Sequence, residues 1–363
     1  ANRKKSEQKT LFKLAEKIKN GKIDTNLLSE FNNFLDRLPR KLKSHQLKAA
    51  YHLYSLKNGA NFSVPGSGKT SVILSIYEKL RLEGKCNVLF VVGPPSCFQP
   101  WQNEFHETLG RSPEVVILSG GDKRIRKTEY YGSRYTLSEL YLTTFQTITN
   151  DYNDVVKFLG QKGVHTFFVV DEAHYMKQIG GSWATTLLGI AEHTEFRCIL
   201  TGTPIPKSYT DLFNLFDFLW PEESPLNEED KIQIQTWEKE KNNEAVKFLL
   251  EKRIGPLFYR VRKKDLGLKP AVFHDPIIIK MNSYEHRIHE LIKSKVFELS
   301  KEDFLENEEI LYNLWKGRMI RLRQSVSYPR LLFKSIEKYK EDLLFGDSEL
   351  VETIQNYDNL EIP

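Results

Sequence analysis

Between Leu42 and about Trp220, short unbroken apolar runs alternate with longer stretches in which apolar residues recur every three or four positions. Runs such as Val88 to Val92 and Phe167 to Val170 are strand-length and rich in β-branched and aromatic residues, the mark of strands buried on both faces. The pattern predicts strands at 60–64, 87–92, 114–118, 140–144, 166–170 and 197–201, and helices at 45–57, 69–82, 99–109, 146–159, 182–192 and 209–218. This alternation specifies an α/β fold with a parallel sheet covered by helices on both faces, spanning residues 42–220.

The flanks read differently. Leu11, Leu14, Ile18, Leu27, Leu28, Phe31 and Leu35 have helical spacing, so residues 1–41 predict a helical extension that Pro39 stops. After Pro221 an acidic break (Glu222, Glu223, Glu228, Glu229, Asp230) introduces residues 221–343, expected to form a helical protrusion. Within it, 272–281 is β-rich, Asn282 and Glu285 form a capping box for a helix from Ser283 to about Leu299, and further helices are expected at 303–316 and 329–343. Residues 344–363 are acidic and lack any base, which predicts a mobile linker.

Composition narrows the class. A chain of 363 residues with 40% hydrophobic and 28% charged residues is neither disordered nor fibrous, and no apolar run approaches the ~20 residues that span a bilayer, so no membrane partner is expected. Three isolated cysteines, Cys86, Cys97 and Cys198, offer neither a disulfide framework nor a zinc spacing. Their isolation points to a reducing compartment, cytoplasmic in a prokaryote or nuclear in a eukaryote. The start lacks Met and a signal core, so a fragment of a longer protein is expected. Residues 1–44 carry a balance of +7 within a net charge of +5, a basic excess that suits a solvated helix face or nucleic acid.

The chemistry concentrates at three strand ends. Ser63-Val64-Pro65-Gly66-Ser67-Gly68-Lys69-Thr70 follows a predicted strand and opens a predicted helix, the context of a phosphate loop. Its amides and helix N-terminus would face phosphate oxygens, Lys69 would reach the β- and γ-phosphates, and Thr70 would hold Mg²⁺. Ser63 stands where the general pattern has glycine. Phe167 to Val170 ends in Asp171-Glu172-Ala173-His174, which supplies a second Mg²⁺ ligand, Asp171, and a base for the attacking water, Glu172. Thr201-Gly202-Thr203-Pro204 ends another strand and by itself reads as a turn.

Together these segments resemble helicase superfamily two, and in particular the Swi/Snf-type double-stranded-DNA translocases, from about Leu42 to Leu332. The resemblance implies a RecA-like, P-loop motor lobe that uses ATP and Mg²⁺. It implies adenine contact by Gln46, nucleotide contact by Pro65, Gly66, Ser67, Gly68, Lys69 and Thr70, and coupling of nucleotide state to DNA grip by His174, Thr201, Gly202 and Thr203. Phosphate-backbone contacts on duplex DNA, without sequence preference, are implied for Pro95 and Ser96 after Val91-Val92-Gly93-Pro94 and for Thr143 and Thr144. Tyr259 to Leu266 and Arg321 to Gln324 resemble family landmarks in the protrusion, which would leave Arg260 and Arg262 off the nucleotide cleft. Pro206-Lys207 and the Ser63 to Pro65 lead-in depart from typical remodellers, so a divergent member is expected. Nothing after Leu332 resembles the second lobe that supplies an arginine finger, so the chain by itself is expected to hydrolyse ATP at near-background rates. A strand-separating DNA or RNA helicase, a restriction-type motor and a non-hydrolysing module that keeps the fold are the alternatives; intact Lys69, Thr70, Asp171 and Glu172 argue against the last.

Overall fold

Seven parallel strands form one sheet in the computed structural model, in the order β3-β4-β2-β5-β6-β1-β7. They are β1 Asn58–Asn61, β2 Val88–Val92, β3 Val115–Leu118, β4 Leu140–Thr143, β5 Thr166–Val170, β6 Phe196–Leu200 and β7 Phe258–Tyr259. The structure describes residues 2–22, 24–131, 137–177, 180–205, 207–267, 272–302, 319–332 and 348–358, which divide into two units, Ala1–Lys269 and Pro270–Pro363.

Alternation along each strand explains the two-sided core. Val88, Phe90 and Val92 join one apolar cluster, whereas Leu89 and Val91 join the other. Phe90 lies opposite both Tyr141 and Phe168, and its ring stacks on theirs with centroids 5.7 and 5.2 Å apart, an aromatic ladder across the adjacent strands β4, β2 and β5. The helices of this unit are α1 Asn2–Lys19, α2 Thr25–Leu35, α3 Ser44–Leu56, α4 Lys69–Leu82, α5 Phe98–Leu109, α6 Lys123–Tyr131, α7 Phe145–Asn150, α8 Tyr152–Leu159, α9 Ser182–Ala191, α10 Phe213–Leu219, α11 Glu228–Lys239 and α12 Asn243–Ile254. Helices α2 to α5 cover the Leu89 face through Phe31, Tyr51, Ile73 and Trp101, while α7 to α12 cover the Phe90 face through Ile148, Phe158, Leu187, Phe216, Ile234 and Val246.

The predicted α/β architecture is present, with local differences. The helix expected over 146–159 breaks at Asp151, whose buried carboxylate takes bonds from Arg126 Nε at 2.7 Å and Tyr130 Oη at 3.2 Å. Helix α6 is too polar, and β7 too short, for periodicity to find either. The acidic break after Pro221 does not end the unit: Leu226, Ile234, Val246 and Leu250 belong to the same core as the sheet. The basic extension is also packed in, through Ala15, Phe31 and Leu35.

In the second unit, α13 Ser283–Glu302 begins at the expected capping box: Asn282 Oδ1 accepts from Glu285 N at 2.8 Å and Glu285 Oε2 accepts from Asn282 N at 2.9 Å. The β-rich stretch 272–281 forms no strand; Phe273 is 93% exposed and Ile277 89%. The acidic tail is not simply a linker, because Ser348–Asp358 is a helix that buries Leu350, Ile354 and Tyr357 with Ile288, Ile292 and Leu332. Pro329–Leu332 is a 3₁₀ turn, and the helices expected at 303–316 and over 333–343 lie outside the described residues. No described helix is long and apolar enough to cross a membrane.

Candidate nucleotide site

The site forms where β1, β5 and β6 end on the same edge of the sheet, the edge at which parallel α/β sheets bind ligands. Beyond β1 the chain remains paired to β7 and the segment after it: Phe62 N donates to Tyr259 O at 2.8 Å and Val64 N to Val261 O at 3.1 Å. Ser63 closes this seam by accepting from Val261 N at 3.1 Å through its hydroxyl, a bond that glycine at this position could not make. Arg260 and Arg262, expected away from the nucleotide, therefore sit on exposed positions beside the lead-in of the phosphate loop.

Gly66 and Gly68 adopt φ of 78° and 81°, in the left-handed region that favours glycine, and turn the loop sharply into α4. A Cβ on Gly68 would lie 1.9 Å from Gln46 Nε2, so Gln46 is seated directly on the loop. Gln46 Nε2 donates to Ser67 O at 3.1 Å, and its Oε1 accepts from Lys43 N at 2.8 Å. Lys69 Nζ donates to Ser63 O at 3.1 Å. Burial pushes the Lys69 ammonium below the usual lysine value, while the charges of Asp171 and Glu172 pull it back up. Thr70 follows in the first turn of α4, half-buried.

Asp171 continues β5, its N–H donating to Val92 O at 2.8 Å. Both carboxylate oxygens are held: Oδ2 accepts from Trp101 Nε1 and Oδ1 from Glu172 N, each at 2.9 Å. Glu172 has φ 49°, ψ 46°, a left-handed conformation uncommon for a residue with a Cβ and costing on the order of 1–3 kcal/mol. That turn brings His174 Nδ1 to 3.2 Å from Glu172 Oε2 and to 3.2 Å from Thr201 Oγ1. Thr201 Oγ1 also accepts from Thr203 N at 3.1 Å. Gly202 closes on the phosphate loop: a Cβ there would lie 2.7 Å from Pro65 Cδ. Asn214 Nδ2 donates to Met176 O at 2.9 Å, fastening α10 to the turn after Asp171. The donor set fits a nucleoside triphosphate with Mg²⁺, since open space surrounds Gly66, Lys69 is a partly desolvated cation, and Thr70 and Asp171 are hard oxygen donors.

The expected DNA contacts divide. Pro95 and Ser96 are exposed on a 3₁₀ turn, Pro95–Cys97, at the end of β2. Thr144 is half-buried at the end of β4 and caps α7 by accepting from Thr147 N at 3.1 Å. Thr143 does not belong with them: it is fully buried and its hydroxyl donates to Leu118 O at 2.9 Å, so it has no face toward solvent. Sequence reasoning missed the Trp101–Asp171 bond and the Gly202–Pro65 contact, because both join segments far apart in the chain.

A parallel sheet with a phosphate loop at one strand end and an Asp-Glu pair at another defines a P-loop fold of the RecA type. The family model of the SNF2-related domain matches residues 44–331, and the chain belongs to that family. It is 26% identical over 324 residues to the ATP-dependent DNA helicase DDM1 of Arabidopsis thaliana, covering 82% of this chain and 40% of that protein. It is 29% identical over 187 residues to the DNA excision repair protein ERCC-6-like of Mus musculus, covering 50% of this chain and 15% of that protein. The chain thus spans less than half the length of these relatives. The Sulfolobus solfataricus SWI2/SNF2 ATPase core in complex with dsDNA superposes with a TM-score of 0.52 at 18% identity, over 88% of this chain and 64% of that one, a likeness of fold.

Proposed function

We propose that this chain is the ATP-binding lobe of an ATP-dependent motor that moves along duplex DNA. The observation that carries this reading is the convergence of Lys69, Asp171, Glu172 and, through His174, Thr201 on one edge of the sheet. The loop amides and Lys69 bind the β- and γ-phosphates, Lys69 leaving the Ser63 carbonyl to do so, and Gln46 reads adenine from its seat on the loop. Thr70 and Asp171 hold Mg²⁺, which when bound neutralises phosphate charge and polarises the transferred group. Glu172 orients the attacking water and takes its proton. His174 Nδ1 has two competing partners, so its choice between Glu172 and Thr201 links the base to the segment that packs on Pro65.

Duplex DNA lies on the exposed turn at Pro95 and Ser96 and at the end of β4 by Thr144, held by backbone phosphates without base readout. The dsDNA in the Sulfolobus complex supports that choice of substrate. Full turnover requires an arginine delivered by a second lobe, worth about 10³ to 10⁵ in rate. Glu172→Gln tests the core of the proposal. In a protein that carries the second lobe, nucleotide affinity in Mg²⁺ should persist while turnover falls about 10²- to 10⁴-fold; equal losses of affinity and turnover would make Glu172 a binding or structural residue instead.

A further inference from the structure

Helix α5 starts at the exposed turn Pro95–Cys97, and Trp101, in its first turn, reaches the Asp171 carboxylate. Trp101 is 1% exposed, and its indole N–H donates to Asp171 Oδ2 at 2.9 Å. An indole has one donor and no acceptor, so this bond occupies all of its polar capacity. The amide of Glu172 holds the other oxygen at the same distance, so the carboxylate is gripped on both sides and one further lone pair on each oxygen is left to point at a cation. Three residues along the same face of α5, Glu104 bonds Ser71 Oγ, in the turn of α4 that follows Lys69 and Thr70, and also bonds Arg40. Thr108, one turn further, is buried within reach of Glu104 at 3.4 Å. Helix α5 is therefore tied to both halves of the nucleotide site, and its N-terminus grows directly out of the exposed turn Pro95–Cys97.

We propose that Trp101 is a positioning residue for the metal: its indole N–H fixes the plane of the Asp171 carboxylate, and through the first turn of α5 it ties that plane to the position of the Pro95–Cys97 turn. This rests on Asp171 being a Mg²⁺ ligand. The indole bond orients a ligand without touching the metal, the role outer-shell donors play around metal sites, and loss of such a donor typically weakens metal affinity about 10- to 100-fold. A motion of the turn on its partner is then felt at Asp171 as a change in donor geometry, because no flexible joint intervenes between Phe98 and Trp101.

Trp101→Phe keeps a ring in the core and removes the N–H. The measurement is Mg²⁺ binding to the protein already saturated with a non-hydrolysable ATP analogue, by calorimetry, alongside affinity for the analogue in EDTA. Trp101→Phe should weaken Mg²⁺ about 10- to 100-fold and leave metal-free nucleotide affinity unchanged. Phe105→Leu, one turn on in the same helix and equally buried, provides a packing loss that does not reach Asp171 and should leave Mg²⁺ affinity as in the wild type. Equal Mg²⁺ affinity in wild type and Trp101→Phe, or an equal loss in Phe105→Leu, would overturn the proposal. If the wild type itself showed no gain in nucleotide affinity with Mg²⁺, the metal-site reading beneath it would fail instead. Should Trp101→Phe not fold, the indole ¹⁵N–¹H resonances of the five tryptophans decide: the resonance displaced by Asp171→Asn must also move when Mg²⁺ is added to the analogue complex, and an unmoved resonance overturns the assignment.

Discussion

Gly202→Ala is the sharpest probe of how the phosphate loop is held. Gly202 has no positive φ, so its backbone tolerates a side chain and any effect is steric. The added methyl would lie 2.7 Å from Pro65 Cδ and 3.2 Å from Cγ, where ordinary contact begins at 3.4 Å. The two segments must part by about 0.7 Å, and neither yields easily, because the proline ring is rigid and Thr201 is pinned to Asn61 O and His174. Overpacking of this size costs roughly 1–3 kcal/mol. In a unit of this size that lowers the melting temperature by about 2–4 °C per kcal/mol. The functional cost should be of similar size, since a displacement near 1 Å of a positioning loop is worth on the order of 100-fold in rate, about 2.7 kcal/mol. Melting by circular dichroism reads the first effect, and nucleotide affinity with a fluorescent ATP analogue together with turnover in a protein that carries the second lobe reads the second. Pro65→Ala removes the opposing Cγ and Cδ, so the double variant should recover part of the loss, a coupling of about 0.5–3 kcal/mol. Wild-type affinity and melting in Gly202→Ala, or strictly additive losses in the double variant, would refute the contact as the cause. Gly66→Ala makes the contrast: nothing lies within 4 Å, so only the left-handed backbone, about 1–2 kcal/mol, opposes it.

Thr143→Val should lower the melting temperature, since it leaves Leu118 O without its partner, yet leave DNA affinity unchanged, whereas Ser96→Asp should weaken DNA binding most at low salt; gel-shift titrations at two salt concentrations separate them. His52 is buried with Nε2 on Pro256 O at 2.8 Å, and burial pushes its pKa down to about 4 from the usual 6.5. Because the unfolded chain protonates first as pH falls, stability should decline between pH 6.5 and 4 by about 1.4 kcal/mol per unit from this group, a slope that His52→Gln removes in urea melts. Steady-state phosphate release by residues 1–363 alone should stay near background with or without duplex DNA, and a protein carrying the second lobe should exceed it; strong DNA-stimulated release by 1–363 would show that the finger is already present.

The sequence by itself determined the parallel α/β lobe and the chemistry at its edge, for a local reason. Runs such as Val88–Val92 must be buried on both faces, and Gly66 and Gly68 are needed wherever a loop turns through positive φ into a helix, so period and residue type suffice to locate strands, loop and acidic strand end. The helix over 348–358 was not read from the sequence, because the acidic charge around Leu350, Ile354 and Tyr357 pointed to a linker and their apolar partners lie on other segments. What only the tertiary structure decided are relations between distant segments. Thr143 and Thr144 are adjacent and chemically alike, yet the pleat of β4 turns one hydroxyl inward onto Leu118 O and leaves the other to cap α7. Ser63 looked like a defect in a glycine pattern until β7 arrived beside it and supplied the Val261 amide that its hydroxyl accepts. The same holds for Trp101 on Asp171 and Gly202 on Pro65, whose partners are brought together by strand order across the sheet, a property that depends on all the crossovers at once and leaves no mark at either position alone.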